Sequence, residues 1–268
     1  MSEQQRCDTA KWQRLVEIME RLRAPGGCPW DRAQDHQTLK RYFLEETYEV
    51  LDAIDSGNDR ALCDELGDAL LQVVFHAEIA REEGRFTIDD VLDNINAKMV
   101  RRHPHIFGEE QAETPEAVLS MWEQIKAKER EQEPGGGTGE QRGLMKINDN
   151  LPALLMAQKV QDKAARVGFD WPDISGPEAK LQEEIAELQA ARTPAEKLDE
   201  LGDVLFAAVN VARFQQVDAE DALRHTVKKF IARFNDIEAQ MEAHGQHWGE
   251  LSLEEMDGYW NQATARGL

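Results

Sequence analysis

Five residues, Asp64-Glu65-Leu66-Gly67-Asp68, recur as Asp199-Glu200-Leu201-Gly202-Asp203. Upstream of each copy stands another acidic pair with the same three-residue step: Glu46 and Glu49, then Glu184 and Glu187. On an α-helix, residues three apart share a face. Two such helices side by side would gather up to four carboxylates in one place. The companions of Glu65 and Asp68 are apolar almost all round the helix, among them Leu66, Leu70, Val73, Val74 and Phe75. Leu201, Val204, Leu205, Phe206 and Val209 repeat the pattern in the second copy. Such a helix is expected to be buried, with its acids in or beside a core. An unpaired buried carboxylate costs several kcal/mol or takes up a proton. A helix N-terminus offsets only about 0.3–1 kcal/mol of that. A hard divalent cation offsets more, and Mg²⁺ favours carboxylates combined with substrate phosphates. Gly67 and Gly202 each cost a helix interior about 1 kcal/mol, so they are expected to permit close helix approach. No His stands three residues after these acids, which argues against a di-iron carboxylate centre. Ion pairing of each acid with Lys or Arg would explain one copy, but it explains less well two copies in the same order.

The elements that must hold these acids are helical. Strand patterns are almost absent, and most segments are rich in Ala, Leu, Glu, Lys and Gln at helical spacing. The fold class is therefore all-α. The chain is also internally duplicated. Leu44–Ile54 answers to Gln182–Ala191, Asp64–His76 to Asp199–Val211, Lys98–Arg102 to Lys229–Arg233, and Met121–Lys126 to Tyr259–Thr264. A unit of roughly 120 residues is too long for a solenoid repeat. Two similar helical bundles are expected, at residues 1–130 and 144–268. Between them, "EQEPGGGTGEQRG" at residues 131–143 reads as a flexible linker.

Bulk properties exclude several function classes. With 31 basic and 52 acidic residues the chain carries a net charge of −21, which argues against general nucleic-acid binding. Three cysteines, Cys7, Cys28 and Cys63, form no CxxC pair and suggest a reducing, cytoplasmic setting. The polar N-terminus has no apolar leader, and no apolar run is long enough to span a membrane. His103-Pro104-His105 lacks zinc-ligand spacing. The glycines at 135–137 lack the Gly-Lys-Ser/Thr of a P-loop.

With ExxE at Glu46 and Glu49, ExxD at Glu65 and Asp68, "GGCPWD" at 26–31 and "RRHPHIFG" at 101–108, the chain resembles the MazG nucleoside triphosphate pyrophosphohydrolases of the all-α NTP pyrophosphatase superfamily. "LPALLMAQKVQDKAARVGFDW" at 151–171, followed by a second ExxE and ExxD, extends the likeness through the second half. The resemblance implies two tandem MazG-like bundles of four or five helices and a homodimer with helices packed across the subunit boundary. It implies Mg²⁺-dependent cleavage of NTPs and dNTPs to the monophosphate and pyrophosphate, with water attacking the α-phosphorus. Broad base tolerance is expected; selectivity for one noncanonical nucleotide, or sensing without cleavage, are the rival readings.

The same resemblance assigns the metal-ligand roles first to Glu184, Glu187, Glu200 and Asp203, and second to Glu46, Glu49, Glu65 and Asp68. Glu183, Glu184 and Glu187 are the candidates to activate water. Lys180 and Lys197 lie within a turn of the acids and are expected to reach the substrate phosphates. Lys229 and Arg233, one turn apart, match positions the family uses for substrate. Trp260 matches a family aromatic near the nucleotide, and an indole stacks on any base. Trp30 and Trp171 are expected to be structural.

Overall fold

The computed structural model describes residues 3–132 and 147–268, with side chains from Ala10 onward apart from those at 123, 127 and 130–132. Among these residues there are twelve α-helices and no strand. None is long and apolar enough to cross a membrane. The chain divides into two compact units, one within residues 1–134 and one within 135–268. The expected linker lies outside the described residues from position 133 onward. Its first two positions, 131 and 132, still belong to a helix. Cys28 and Cys63 are free thiols, and the side chain of Cys7 lies outside the described set.

Unit 1 holds α1 (Glu3–Arg23), α2 (Pro29–Ala33), α3 (His36–Ser56), α4 (Asp59–Glu82), α5 (Ile88–Arg102), α6 (Pro104–Phe107) and α7 (Pro115–Gln132). Its centre is the α3–α4 hairpin, with α1 packed on α4. The hairpin is tight because local chemistry ends one helix and starts the next. Gly57 closes α3 in the left-handed region at φ 63°, and the Asn58 side chain caps α4 through the amides of Arg60 and Ala61. A residue with a Cβ adopts that φ at a cost that glycine avoids. Asp35 and Thr38 form a capping box at the start of α3, as Thr87 and Asp90 do for α5. Met19, Leu39, Val74, Phe75 and Ile79 make the buried core between α1, α3 and α4.

Unit 2 repeats the plan with α8 (Ala153–Arg166), α9 (Ser175–Ala190), α10 (Pro194–Phe214), α11 (Ala219–Ala243) and α12 (Leu253–Ala265). The α9–α10 hairpin is the counterpart of α3–α4, and α8 packs on α10 as α1 does on α4. Pro194 at the first turn and a Thr193–Glu196 capping box start α10. Gly176 is needed for packing: a Cβ there would come within 2.5 Å of the Trp171 ring. Trp171 itself is packed on one side by Gly176 and is 48% exposed on the rest.

The expectation of fully buried ExxD helices is corrected within one chain. Leu201, Leu205 and Phe206 are 47%, 50% and 44% exposed, and Leu66 and Leu70 are exposed as well. Each helix is covered on the sides facing its own unit and bare on the rest. Gly67 and Gly202 also fail their expected role here, because a Cβ at either would meet nothing within 4 Å.

At the far end of unit 1, Glu129 on α7 is gripped by two arginines of α5. Arg102 Nη2 lies 2.6 Å from its Oε2 and Arg101 Nε 2.6 Å from its Oε1. The Arg102 hydrogen bonds, with those of Arg101 behind them, hold the carboxyl down at about 2. A depressed acid stabilises the fold above its unfolded value of about 4.3, and that contribution fades as pH falls toward the folded value. Glu129→Gln should cost about 1–2 kcal/mol at pH 7. Urea melts of both proteins across pH should converge between about pH 4.5 and about pH 2.

Candidate metal and phosphate site

α9 and α10 run antiparallel and bring their acids together. Carboxylate oxygens of Glu184, Glu200 and Asp203 lie within 4.8 Å of one another, and so do those of Glu183, Glu184 and Glu187. Glu184, common to both groups, is only 5% exposed. In unit 1 the oxygens of Glu46, Glu49 and Glu65 gather within the same 4.8 Å. Asp68 stands outside that triad, yet its charge still raises the carboxyl of Glu46.

Like charges this close oppose one another's ionisation. Burial, then Glu184 and Glu200, push the Glu187 carboxyl upward. Burial, then Asp68, Glu49 and Glu65, do the same to Glu46. Glu65 is raised by burial and by Glu49 and Asp68. A hard divalent cation would relieve all three shifts, and an all-oxygen carboxylate donor set suits Mg²⁺. The residues present therefore fit such an ion.

A lysine of α9 reaches the acids of unit 2. Lys180 Nζ lies 2.8 Å from Glu183 and 2.6 Å from Glu184, and both pairings raise its affinity for its proton. Lys197 points to solvent and makes no ion pair among the described residues. Lys229 is exposed on α11. Arg233, also on α11, donates from Nε to the Leu268 carbonyl at 2.7 Å, and its guanidinium sits 5.1 Å from the Trp260 ring centre. Trp260 also packs against Phe230, ring centres 5.2 Å apart. These three residues lie together on α11 and α12, away from the lining of the cavity that adjoins the acids.

That cavity measures about 590 Å³. Lys180, Glu184 and Asp203 line it, and so do Trp171, Asn210 and Arg213. From Asp203 to Arg213 it follows α10 for roughly 15 Å, at 1.5 Å per residue. Arg213 closes it with a bidentate grip on Asp170, Nη1 to Oδ2 at 2.9 Å, which holds the Asp170 carboxyl low. The Gln161 amide donates to the Phe206 carbonyl at 2.8 Å, and its own oxygen is buried without a partner.

The sequence profile of the MazG nucleotide pyrophosphohydrolase domain matches residues 34–107 and 178–237, one segment in each unit. Over 252 residues the chain is 48% identical to the nucleoside triphosphate pyrophosphohydrolase/pyrophosphatase MazG of Thermotoga maritima, covering 94% of this chain and 95% of that protein. It is 45% identical over 261 residues to the nucleoside triphosphate pyrophosphohydrolase of Escherichia coli K12, covering 95% of this chain and 97% of that one. The chain belongs to the MazG family. The two profile matches include all eight repeated acids, so this MazG chain carries the family domain twice, on an all-α frame.

Sequence reasoning missed Gln161, Asp170, Asn210 and Arg213. They come from three segments with no shared spacing. The signal nearest to them was the end of the stretch quoted at 151–171, whose Asp170 and Trp171 both line the cavity.

A raised carboxyl destabilises the metal-free fold at neutral pH, and the penalty is relieved by protonation or by a cation. Glu187→Gln should therefore raise the metal-free melting temperature at pH 7, with the gain shrinking as pH falls toward 5. Mg²⁺ at 100 times its Kd should stabilise the unsubstituted protein by about 2.7 kcal/mol. The variant should respond less. Differential scanning fluorimetry with Mg²⁺ and with EDTA measures both effects.

Proposed function

We propose that this chain hydrolyses nucleoside triphosphates, ribo or deoxy, to the monophosphate and pyrophosphate, with Mg²⁺ and with broad base tolerance. The observation that carries the reading is the Glu184–Glu200–Asp203 cluster with Lys180 against it. It stands in a chain 48% identical, over 94% of its length, to a protein named for that activity. Glu184, Glu187, Glu200 and Asp203 would hold the ion. When bound, Mg²⁺ neutralises phosphate charge and acts as a Lewis acid on phosphoryl oxygens.

The protein's own groups supply the rest. Water attacks the α-phosphorus, the bond to the bridging oxygen breaks, and pyrophosphate leaves. The base is one of Glu183, Glu184 and Glu187. All three gather within 4.8 Å at the acids of α9, within reach of one water. Lys180 is positioned to exchange a carboxylate for a phosphate oxygen. Lys197 sits one turn before Glu200 and has an uncommitted ammonium group for the outer phosphates. Lys229, Arg233 and Trp260 complete the substrate side from α11 and α12.

Two copies of the chain would complete the site. Leu201, Leu205 and Phe206 on α10, and Leu223, Val227, Phe230, Ile231 and Phe234 on α11, are all exposed in one chain. Apolar area on this scale marks an interface. A homodimer would cover it and let α11 approach the acids of the other copy.

The units differ in ways that favour unit 2 as the working site. Aligned on the acids, unit 1 has Tyr42 where unit 2 has Lys180, and Leu62 where unit 2 has Lys197. Arg102, the counterpart of Arg233, is taken by Glu129. Glu200→Gln should lower turnover on the order of 100-fold, as loss of one transition-state contact does. Glu65→Gln should lower it much less. Phosphorus NMR in ¹⁸O-water checks the chemistry: pyrophosphate plus ¹⁸O-labelled monophosphate is expected, and loss of both with EDTA. Diphosphate plus orthophosphate would overturn the reading. Light scattering on a size-exclusion column should give twice the chain mass, and Phe206→Glu should lower it.

A further inference from the structure

The acids of the two units are alike, but the residue beside them is not. Lys180, Glu183, Glu184 and Glu187 stand at steps of three and four along α9 and so share one face. Lys180 Nζ lies 2.6 Å from a Glu184 oxygen and 2.8 Å from a Glu183 oxygen. Lysine four residues before glutamate is the weaker of the two helical orders, so the helix alone does little to hold this contact. The acids hold it. Glu184 belongs both to the Glu183–Glu184–Glu187 group and to the Glu184–Glu200–Asp203 group. In unit 1 the place of Lys180 is taken by Tyr42. Its ring packs against the core that holds Met19, Leu39 and Phe75, and its hydroxyl accepts from Arg41. Glu46, Glu49 and Glu65 gather within the same 4.8 Å with no ammonium group at that position.

Burial makes the contact in unit 2 a lopsided one. The Glu184 side chain is 6% exposed and that of Lys180 42%. A buried carboxylate stripped of its partner is left as an uncompensated charge inside the protein. The ammonium group sits on a flexible four-carbon stem and already keeps part of its water. Lys180 can therefore leave Glu184 only as another positive charge arrives. A free divalent cation has to displace the ammonium or sit beside it, and like charges at such distances repel. A metal carried by a triphosphate brings phosphate oxygens with it, and these receive the displaced ammonium as a point charge.

We propose that Lys180 is the resident counter-cation of the unit 2 acids: it weakens their hold on free divalent metal and gives way to metal that arrives with a triphosphate. The inference rests on the hydrolase reading above and adds an order of events to it. The acids of unit 2 stay partly neutralised between turnovers without a bound ion, and metal and substrate enter as one complex. Unit 1, with Tyr42 in that place, has the same acids without this selection.

The test removes the charge and keeps the stem. Lys180→Met is neutral, and Lys180→Arg retains the charge. Mn²⁺ binding is read by electron paramagnetic resonance on the full chain, first with the metal alone. The acids of unit 1 are the same in every protein compared, so a change reports unit 2. Lys180→Met should bind free Mn²⁺ about tenfold or more tightly than the unsubstituted protein, and Lys180→Arg within about threefold of it. With α,β-methylene-ATP, whose P–C–P bridge resists the cleavage, the order should reverse: Lys180→Met should hold the Mn²⁺ complex about tenfold more weakly than the unsubstituted protein. Unchanged or weaker binding of free Mn²⁺ by Lys180→Met would overturn the proposal, and so would equal gains with and without the nucleotide. Should Lys180→Met fail to fold, Lys180→Gln, neutral and polar, is judged by the same comparison. An unsubstituted protein that cleaves no triphosphate sinks the hydrolase reading instead, and the free-metal comparison, which needs no nucleotide, still judges Lys180.

Discussion

Everything in this molecule is arranged around a repulsion. Each hairpin brings three carboxylate oxygens within 4.8 Å, an arrangement that water and Coulomb's law both oppose. The backbone enforces it through short, well-capped connections. Gly57 and Asn58 join α3 to α4, and the Thr193–Glu196 box with Pro194 starts α10 three residues after α9 ends. Helix pairs so tightly joined cannot splay to relieve their charges. The relief must come from protons, from Lys180 or from a cation, and at neutral pH the last is the strongest. Stability and metal binding are thus two readings of one charge balance.

Duplication lets the same frame be read twice under different side chains. The acids persist in both copies, while the residues behind them diverge. Tyr42, Leu62, Gln72 and Phe75 stand where unit 2 has Lys180, Lys197, Ala207 and Asn210. The first two substitutions remove the cations proposed to meet the phosphates. The last two put buried side chains where unit 2 has residues that line a cavity. None touches a carboxylate, so metal affinity and substrate affinity can part ways in one bundle without any change of fold.

Much of this was legible in the sequence, for definable reasons. Helical class and the pairing of ExxE with ExxD follow from period and spacing, which are local. The cavity was not legible, because its walls come from α8, the loop before α9, and α10, and volume is a sum over side chains far apart in the chain. The bare apolar flank of α10 was misread for a related reason. An all-round apolar pattern says that a helix face avoids water, but not whose atoms cover it. Leu201, Leu205 and Phe206 read as core from the pattern, yet each is exposed in one chain. Gly67 and Gly202 carry the same ambiguity: each faces open space in one chain, where the expected close approach has no partner.

The amide of Gln72 marks a further difference between the units. It hydrogen-bonds to Glu46 and draws down a carboxyl that burial and its neighbours raise. Its counterpart, Ala207, reaches nothing of the kind. The buried Gln72 side chain therefore supplies that unit's acids with a neutral partner, one that moderates the repulsion without competing for the role of a cation. In unit 2 relief comes from Lys180, a charged group paired with Glu183 and Glu184. Even with that fixed amide, Glu46 and Glu65 of unit 1 keep raised carboxyls. A site relieved by a movable ammonium is held ready for an anion that arrives with its own metal, which is the state a hydrolase of triphosphates has to keep.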